Sequence, residues 1–319
     1  MSKHVEIPGS AIRTGGAAVE RRGPPPGVAL FVAVAAVSWA GPLIRFTTAP
    51  ALTVAAWRLI FSVALIAAVL VVRGRGSALL GLTRREWALA VGSGLLLATH
   101  FWSWIASLRW TSVGSSVILV NTQPIFAAAL SVAFLGERPT GRQWLGIATA
   151  VAGAAVIGWG DARGDAAGVG PGAKPLLGDF LAVAGAVFAS GYYVIGRRLR
   201  RRLDLWTYIA AVYGVAAAAM TAAALLEPST RMTGYATTDW LVFGALAVGP
   251  MMLGHTGINY ALRYLPAYVA NLAALGEAVG AVLIAWLVPA IGEPPSAQVV
   301  LGGALIAAGI VSGVGRQGR

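Results

Sequence analysis

Leu135-Gly136-Glu137-Arg138-Pro139, in the middle of the chain, returns near its end as Ile291-Gly292-Glu293-Pro294-Pro295. Each copy closes a long apolar stretch and opens onto a Gly/Ala-rich one. Outward from this pair the two halves align at an offset near 154 residues: Glu86-Trp87 with Asp239-Trp240, His100 with His255, and Leu108-Arg109-Trp110 with Leu262-Arg263-Tyr264. Self-similarity on this scale marks a duplicated structural unit.

The duplicated unit is a set of apolar stretches. Ten occur, at roughly 27–47, 50–72, 87–107, 111–135, 142–160, 176–196, 205–226, 240–261, 265–289 and 297–314, and each nears the ~20 residues a helix needs to cross a bilayer core. Of the 319 residues, 57% are hydrophobic and 11% charged, with mean hydropathy +0.74. Soluble domains are about a quarter charged, so this chain lacks the polar side chains to cover a water-facing surface. The same hydrophobicity excludes disorder of the whole. Zero cysteines exclude a disulfide framework, thiolate metal sites, iron–sulfur clusters and a cysteine nucleophile. The expected fold class is an all-α polytopic membrane protein, with ten transmembrane helices as two inverted five-helix repeats. The inversion follows from the count: five is odd, so the second copy enters the membrane facing the other way.

The expected organisation is a disordered cytoplasmic tail at 1–26, a first repeat at 27–160, an extracytoplasmic linker at 161–175, a second repeat at 176–314 and a short cytoplasmic tail at 315–319. The first tail is polar and basic, ends in Pro24-Pro25-Pro26 and contains no apolar core of a signal peptide. The net charge of +12 would suit a nucleic-acid partner, but its distribution suits membrane topology better. With both termini in the cytoplasm, 18 of the 24 Lys and Arg fall on the cytoplasmic side, five (Arg45, Arg109, Arg163, Lys174, Arg231) fall outside, and Arg58 lies within a span. No nucleic-acid partner is expected. The glycine run Gly168-Val169-Gly170-Pro171-Gly172 follows no strand, so it makes no phosphate-binding fingerprint. Neither cofactor nor metal is implied.

Inverted repeats related by a pseudo-twofold axis in the membrane plane are typical of secondary transporters, because two like halves facing opposite ways can rock around a shared central site. The two Gly-Glu motifs, Ala56-Trp57-Arg58-Leu59 in span 2, and five-plus-five spans resemble the drug/metabolite transporter superfamily in its ten-span EamA-type branch, over about residues 27–314. Trp39-Ala40-Gly41-Pro42 and the aromatic richness of span 3 are similar, more narrowly, to bacterial exporters of aromatic and other bulky amino acids. The resemblance implies export of amino acids or similar metabolites across the cytoplasmic membrane of a bacterium. It also implies a central cavity lined by spans 1, 3, 4, 6, 8 and 9, with spans 5 and 10 as support. Other metabolites or amphiphilic drugs are the alternative cargo, and a lipid-modifying membrane enzyme is the alternative class. The partners expected are a small-molecule substrate and the lipid bilayer.

Polar residues inside spans face a cavity or a partner because lipid cannot satisfy them. Span 3 puts His100, Ser103, Trp104 and Ser107 on one helical face, and span 8 puts Met251, His255, Ile258 and Asn259 on a matching seam. The two histidines should therefore lie close together across the pseudo-twofold, either bonding substrate or donating to backbone carbonyls. Pro42, beside Gly41, kinks span 1, whereas its counterpart around Tyr192 in span 6 lacks a proline. Asn121, Gln123 and Pro124 in span 4, and Tyr268 and Asn271 in span 9, complete the candidate lining. Of the 11 tryptophans, Trp39 and Trp104 are the pocket candidates; most others sit near span ends, where interfacial belts place them. Glu277 is the carboxylate set deepest in a span. It serves either as a proton- or cation-binding site or as the partner of Arg58 in a structural ion pair.

Overall fold

The computed structural model describes residues 23–111, 113–136, 139–160, 174–292 and 297–314, and every one of the ten apolar stretches is helical in it. No strand occurs among the described residues. The first half runs α1 (Pro26–Val37), α2 (Ala40–Ile44), α3 (Ala51–Val72), a 3-10 turn at Ala78–Gly81, α4 (Arg84–Ser107), α5 (Val113–Val120), α6 (Gln123–Leu135) and α7 (Gly141–Gly160). The second runs α8 (Pro175–Arg200), α9 (Leu205–Leu226), α10 (Thr237–Leu246), a π-helical stretch at Ala247–His255, α11 (Thr256–Ala261), α12 (Ala267–Ala274), α13 (Gly276–Leu287) and α14 (Ala297–Val314). Eight spans are long and apolar enough to cross a membrane. The other two are α7 and α14, the latter with an apolar centre at Val300–Gly309. The chain is an all-α polytopic membrane protein.

The repeat is visible in where helices break. Span 4 breaks at Asn121-Thr122, between α5 and α6, and span 9 breaks at Leu275, between α12 and α13, so the two interruptions are 154 residues apart. Span 1 breaks at Ser38-Trp39, whereas α8, its counterpart, continues unbroken through Tyr192 and Tyr193. In span 8 Pro250 cannot donate a backbone hydrogen bond, and the helix there widens into the π form that ends at His255. Proline is thus answered by a break in one repeat and by a widened turn in the other.

Helix pairing has the same symmetry. Span 3 (α4) packs on span 6 (α8), and span 8 packs on span 1 through α1 against the π-helical stretch and α11. Span 4 packs on span 6 through α6, and span 9 on span 1 through α12 and α13. The partners α3 and α9, and α7 and α14, pack directly on each other. The α7–α14 seam is glycine-built: a Cβ added to Gly153 would stand 2.6 Å from the Gly302 carbonyl oxygen, and one added to Gly309 would stand 2.6 Å from that of Gly146. Small residues matter here because helices in lipid are held by close van der Waals contact rather than by hydrophobic exclusion.

The signature glycines that open the sequence reading have one job. Gly136 and Gly292 both take left-handed backbone, φ 67° and φ 64°, the conformation glycine adopts without a steric penalty. Glu137, Arg138, Glu293, Pro294 and Pro295 lie outside the described residues, as do most of the first tail, most of the linker and the last five residues. Contacts between loops join segments of the same end. Arg75 pairs with Asp204 at 2.9 Å, and Arg142 Nε donates to the Ser312 carbonyl at 2.8 Å. Thr47 Oγ1 donates to Asp239 at 2.6 Å at the opposite end, where Arg109 also donates to the Ala49 carbonyl.

Candidate functional site

At mid-bundle a central cavity of about 20 Å³ is lined by residues of spans 1, 3, 4, 6, 8 and 9. Its lining comes in corresponding pairs. Val120 and Gln123 from the break in span 4 face the site with Ala274 and Glu277 from the break in span 9; His100 and Trp104 on α4 match His255 and Ile258. The separations are 154 residues for three of these pairs and 155 for the histidines. Val37, Ala40 and Tyr193 complete the wall. The cavity therefore sits on the pseudo-twofold axis, but the chemistry is asymmetric: glutamine faces glutamate, and tryptophan faces isoleucine. A space of this volume holds about one water molecule.

The two imidazoles lie with ring centroids 6.2 Å apart. His100 Nδ1–H donates to the Gly185 carbonyl at 2.9 Å, which fixes its tautomer and leaves Nε2 as an acceptor. His255 Nδ1 is 3.1 Å from the Tyr193 hydroxyl, with the two rings nearly parallel. Trp104 stacks on His100 at 6.5 Å, and its buried Nε1–H has no acceptor. Phe101 fills the angle between the histidines, 5.0 Å from each ring centroid. Glu277 occupies the first turn of α13, the positive end of a helix dipole.

Of the residues singled out in the sequence, the structure gathers His100, Trp104, Gln123, His255 and Glu277 at this cavity. The others lie elsewhere. Trp39 is 43% exposed, pointing away from the bundle centre at the joint between α1 and α2. Pro42 is buried but off the cavity. Asn121 and Asn271 each turn back on their own helix, donating to the carbonyls of Val117 at 2.7 Å and Ala267 at 2.8 Å. Tyr192 is buried behind the wall, where the Asn259 amide donates to its hydroxyl and, at 3.0 Å, to that of Tyr213. Tyr268 donates to Gln143 Oε1 at 3.0 Å, tying span 9 to α7. Tyr193 was missed by one position: adjacent helical residues point about 100° apart, and Tyr193 rather than Tyr192 faces inward. The signal was available, since the repeat offset places Tyr193 opposite the joint at Trp39.

The Arg58–Glu277 ion pair, one of the two alternatives for Glu277, is not formed; among the described residues the ion pair is Arg75 with Asp204. Arg58 is fully buried, its guanidinium lies 4.0 Å from the Phe101 ring centroid, and Nη2 has the Met251 sulfur at 3.8 Å. The stacking partner replaced the carboxylate because Phe101, one helical step from His100, stands over the guanidinium. Beyond the membrane-spanning helices, burial and the charge of Arg45 hold the Arg109 guanidinium below its ordinary range. Partial burial opposes ionisation of Asp204, but hydrogen bonds from Thr207 and Arg75 outweigh it and hold the carboxyl below its usual value.

The spans of both halves thus meet around one shared central cavity. The chain belongs to the EamA-like transporter family, whose pattern it matches over residues 26–159 and again over 176–312. It is 28% identical over 224 residues to a "Probable terminal-alkyne amino-acid exporter" of Streptantibioticus cattleyicolor, covering 67% of this chain and 69% of that one. A protein of solved crystal structure shares the fold with TM-score 0.71 at 20% identity, over 90% of this chain and 96% of that one. Family and relative together point to a transporter rather than an enzyme.

Proposed function

We propose that the protein exports small organic metabolites, amino acids including aromatic ones first among them, by alternating access around the central cavity. The observation that supports this reading is the paired lining: residues one repeat apart meet at one central cavity, about which rocking of one half against the other would open each face in turn. The name of the S. cattleyicolor relative, an amino-acid exporter, supports the substrate class. In this reading residues 27–160 and 176–314 are the two moving halves, both termini face the cytoplasm, and the protein resides in a bacterial cytoplasmic membrane.

The cavity chemistry supports the same class. Trp104 and Tyr193 offer aromatic faces, His100 and Gln123 offer hydrogen bonds, and Glu277 offers a carboxyl group. Pro42, Asn121, Asn259, Tyr268, Asn271 and Tyr192 then shape the helix breaks and hold the wall in place. The test is transport in proteoliposomes with a competition screen of aromatic, aliphatic and charged amino acids. Aromatic and bulky ones are expected to compete best, and His100→Ala and His255→Ala to impair uptake. Normal transport by both variants removes the central site from the mechanism; a covalently altered product removes the transport reading itself.

A further inference from the structure

Two buried ionisable groups, Glu277 and Arg58, have no charge-specific role in the proposed function, and both break the pseudo-twofold. Glu277 has the neutral Gln123 as its counterpart, and Arg58 has Val212. Glu277 faces the cavity and makes no hydrogen bond or ion pair among the described residues. Arg58 is 0% exposed, and its Nε and Nη1 have no hydrogen-bond partner among the described residues. A cation at that depth without a counter-ion is costly, and one aromatic face with one thioether contact offsets only part of the cost.

The position of Phe101 gives the pair a meaning. One face of its ring covers the guanidinium at 4.0 Å, and the same ring touches both cavity imidazoles at 5.0 Å. The Phe101 ring thus contacts Arg58 as well as two residues that line the cavity, which is too small for cargo as it stands. Moving that ring would uncover the guanidinium on the side of the two imidazoles. A guanidinium with free N–H groups matches a carboxylate in a two-pronged contact, and a free carboxylate matches an ammonium.

We propose that Glu277 and Arg58 form a charge clamp for zwitterionic amino acids, with Glu277 taking the ammonium and Arg58, uncovered by displacement of Phe101, taking the carboxylate. This rests on the proposed amino-acid cargo and adds the group that reads each end of it. Because each charge occurs in one repeat alone, the clamp holds cargo in one orientation although the surrounding scaffold is two-fold.

The experiment is competition against labelled phenylalanine uptake in proteoliposomes by three probes: phenylalanine, phenethylamine, which lacks the carboxylate, and 3-phenylpropionate, which lacks the ammonium. Each truncated probe is expected to compete at least about tenfold less well than phenylalanine, the scale of one lost charge-assisted contact. Arg58→Met should weaken phenylalanine to the level of phenethylamine while leaving phenethylamine unchanged, and Arg58→Lys should recover part of the difference. Glu277→Gln should weaken phenylalanine to the level of 3-phenylpropionate. If Arg58→Met does not fold, Phe101→Ala decides, because uncovering Arg58 should strengthen competition by 3-phenylpropionate. Equal competition by the three probes in the wild type, or equal weakening of all three by the charge-neutralising variants, overturns the clamp and leaves amino-acid transport standing. Absence of uptake of any amino acid removes both.

Discussion

Alanine at Gly309 tests whether the α7–α14 seam is held by contact that only glycine permits. Its Cβ would stand 2.6 Å from the Gly146 carbonyl oxygen and 2.8 Å from the Ala150 backbone nitrogen, where ordinary contact begins at 3.4 Å. Neither obstacle is a flexible side chain, so the helices must part by about 0.8 Å, enough to forfeit a quarter to a half of each contact's dispersion energy. Overpacking of this kind costs ~1–3 kcal/mol, and the helix-propensity gain of alanine over glycine returns ~0.5–1 kcal/mol. The expected net loss is ~1–2 kcal/mol. Gly153→Ala makes the mirrored insertion against Gly302. Once one substitution has separated the helices the second meets less resistance, so the double variant should lose less than the sum of the two. Gly92→Ala is the control: it lies within α4 with nothing within 4 Å of its added Cβ, and should be neutral or stabilising. The assay is the heating midpoint of detergent-solubilised protein, read as monodisperse fraction by size exclusion. A Gly309→Ala midpoint no lower than that of Gly92→Ala refutes the reasoning.

Three further outcomes are expected. Asp204 caps α9 through Trp206 and Thr207 and pairs with Arg75; with its folded pKa depressed, its stabilisation is present above the unfolded value near ~3.9 and is lost as pH falls through the folded one. Asp204→Asn should therefore flatten the acid limb of a stability–pH profile while lowering neutral-pH stability. Asn259→Leu leaves the buried Tyr192 and Tyr213 hydroxyls without their amide donor, at ~1–3 kcal/mol per unsatisfied group, and Tyr192→Phe in that background should recover part of the loss in a double-mutant cycle. Reporter tags at the two termini should fall on one side of the membrane; opposite sides are incompatible with two five-span halves.

Much of this was legible in the chain. Hydropathy marked the ten helices, and the 154-residue echo brought His100 and His255 together, because a repeat offset carries three-dimensional information that a single helix pattern lacks. What escaped were the facts decided by rotation and by neighbours. Tyr192 and Tyr193 differ by one step of a helix, and which of them faces inward depends on how α8 docks on α4. Trp39 reads as a pocket residue beside a kink, yet the break at Ser38-Trp39 turns it outward. Arg58 and Glu277 are each other's obvious partners by charge, yet they form no ion pair, and the guanidinium lies over Phe101 instead. Pro250 was the available sign of the widened helix at Ala247–His255, where one proline changes the geometry that aims His255.

The smallness of the central cavity has a consequence for the cell. A space that holds about one water molecule has no room for a metabolite or a hydrated ion. On the proposed alternating-access reading, a membrane crowded with copies at rest in this shape would keep its voltage and its nutrient pools, and any leak would be confined to the moments of turnover.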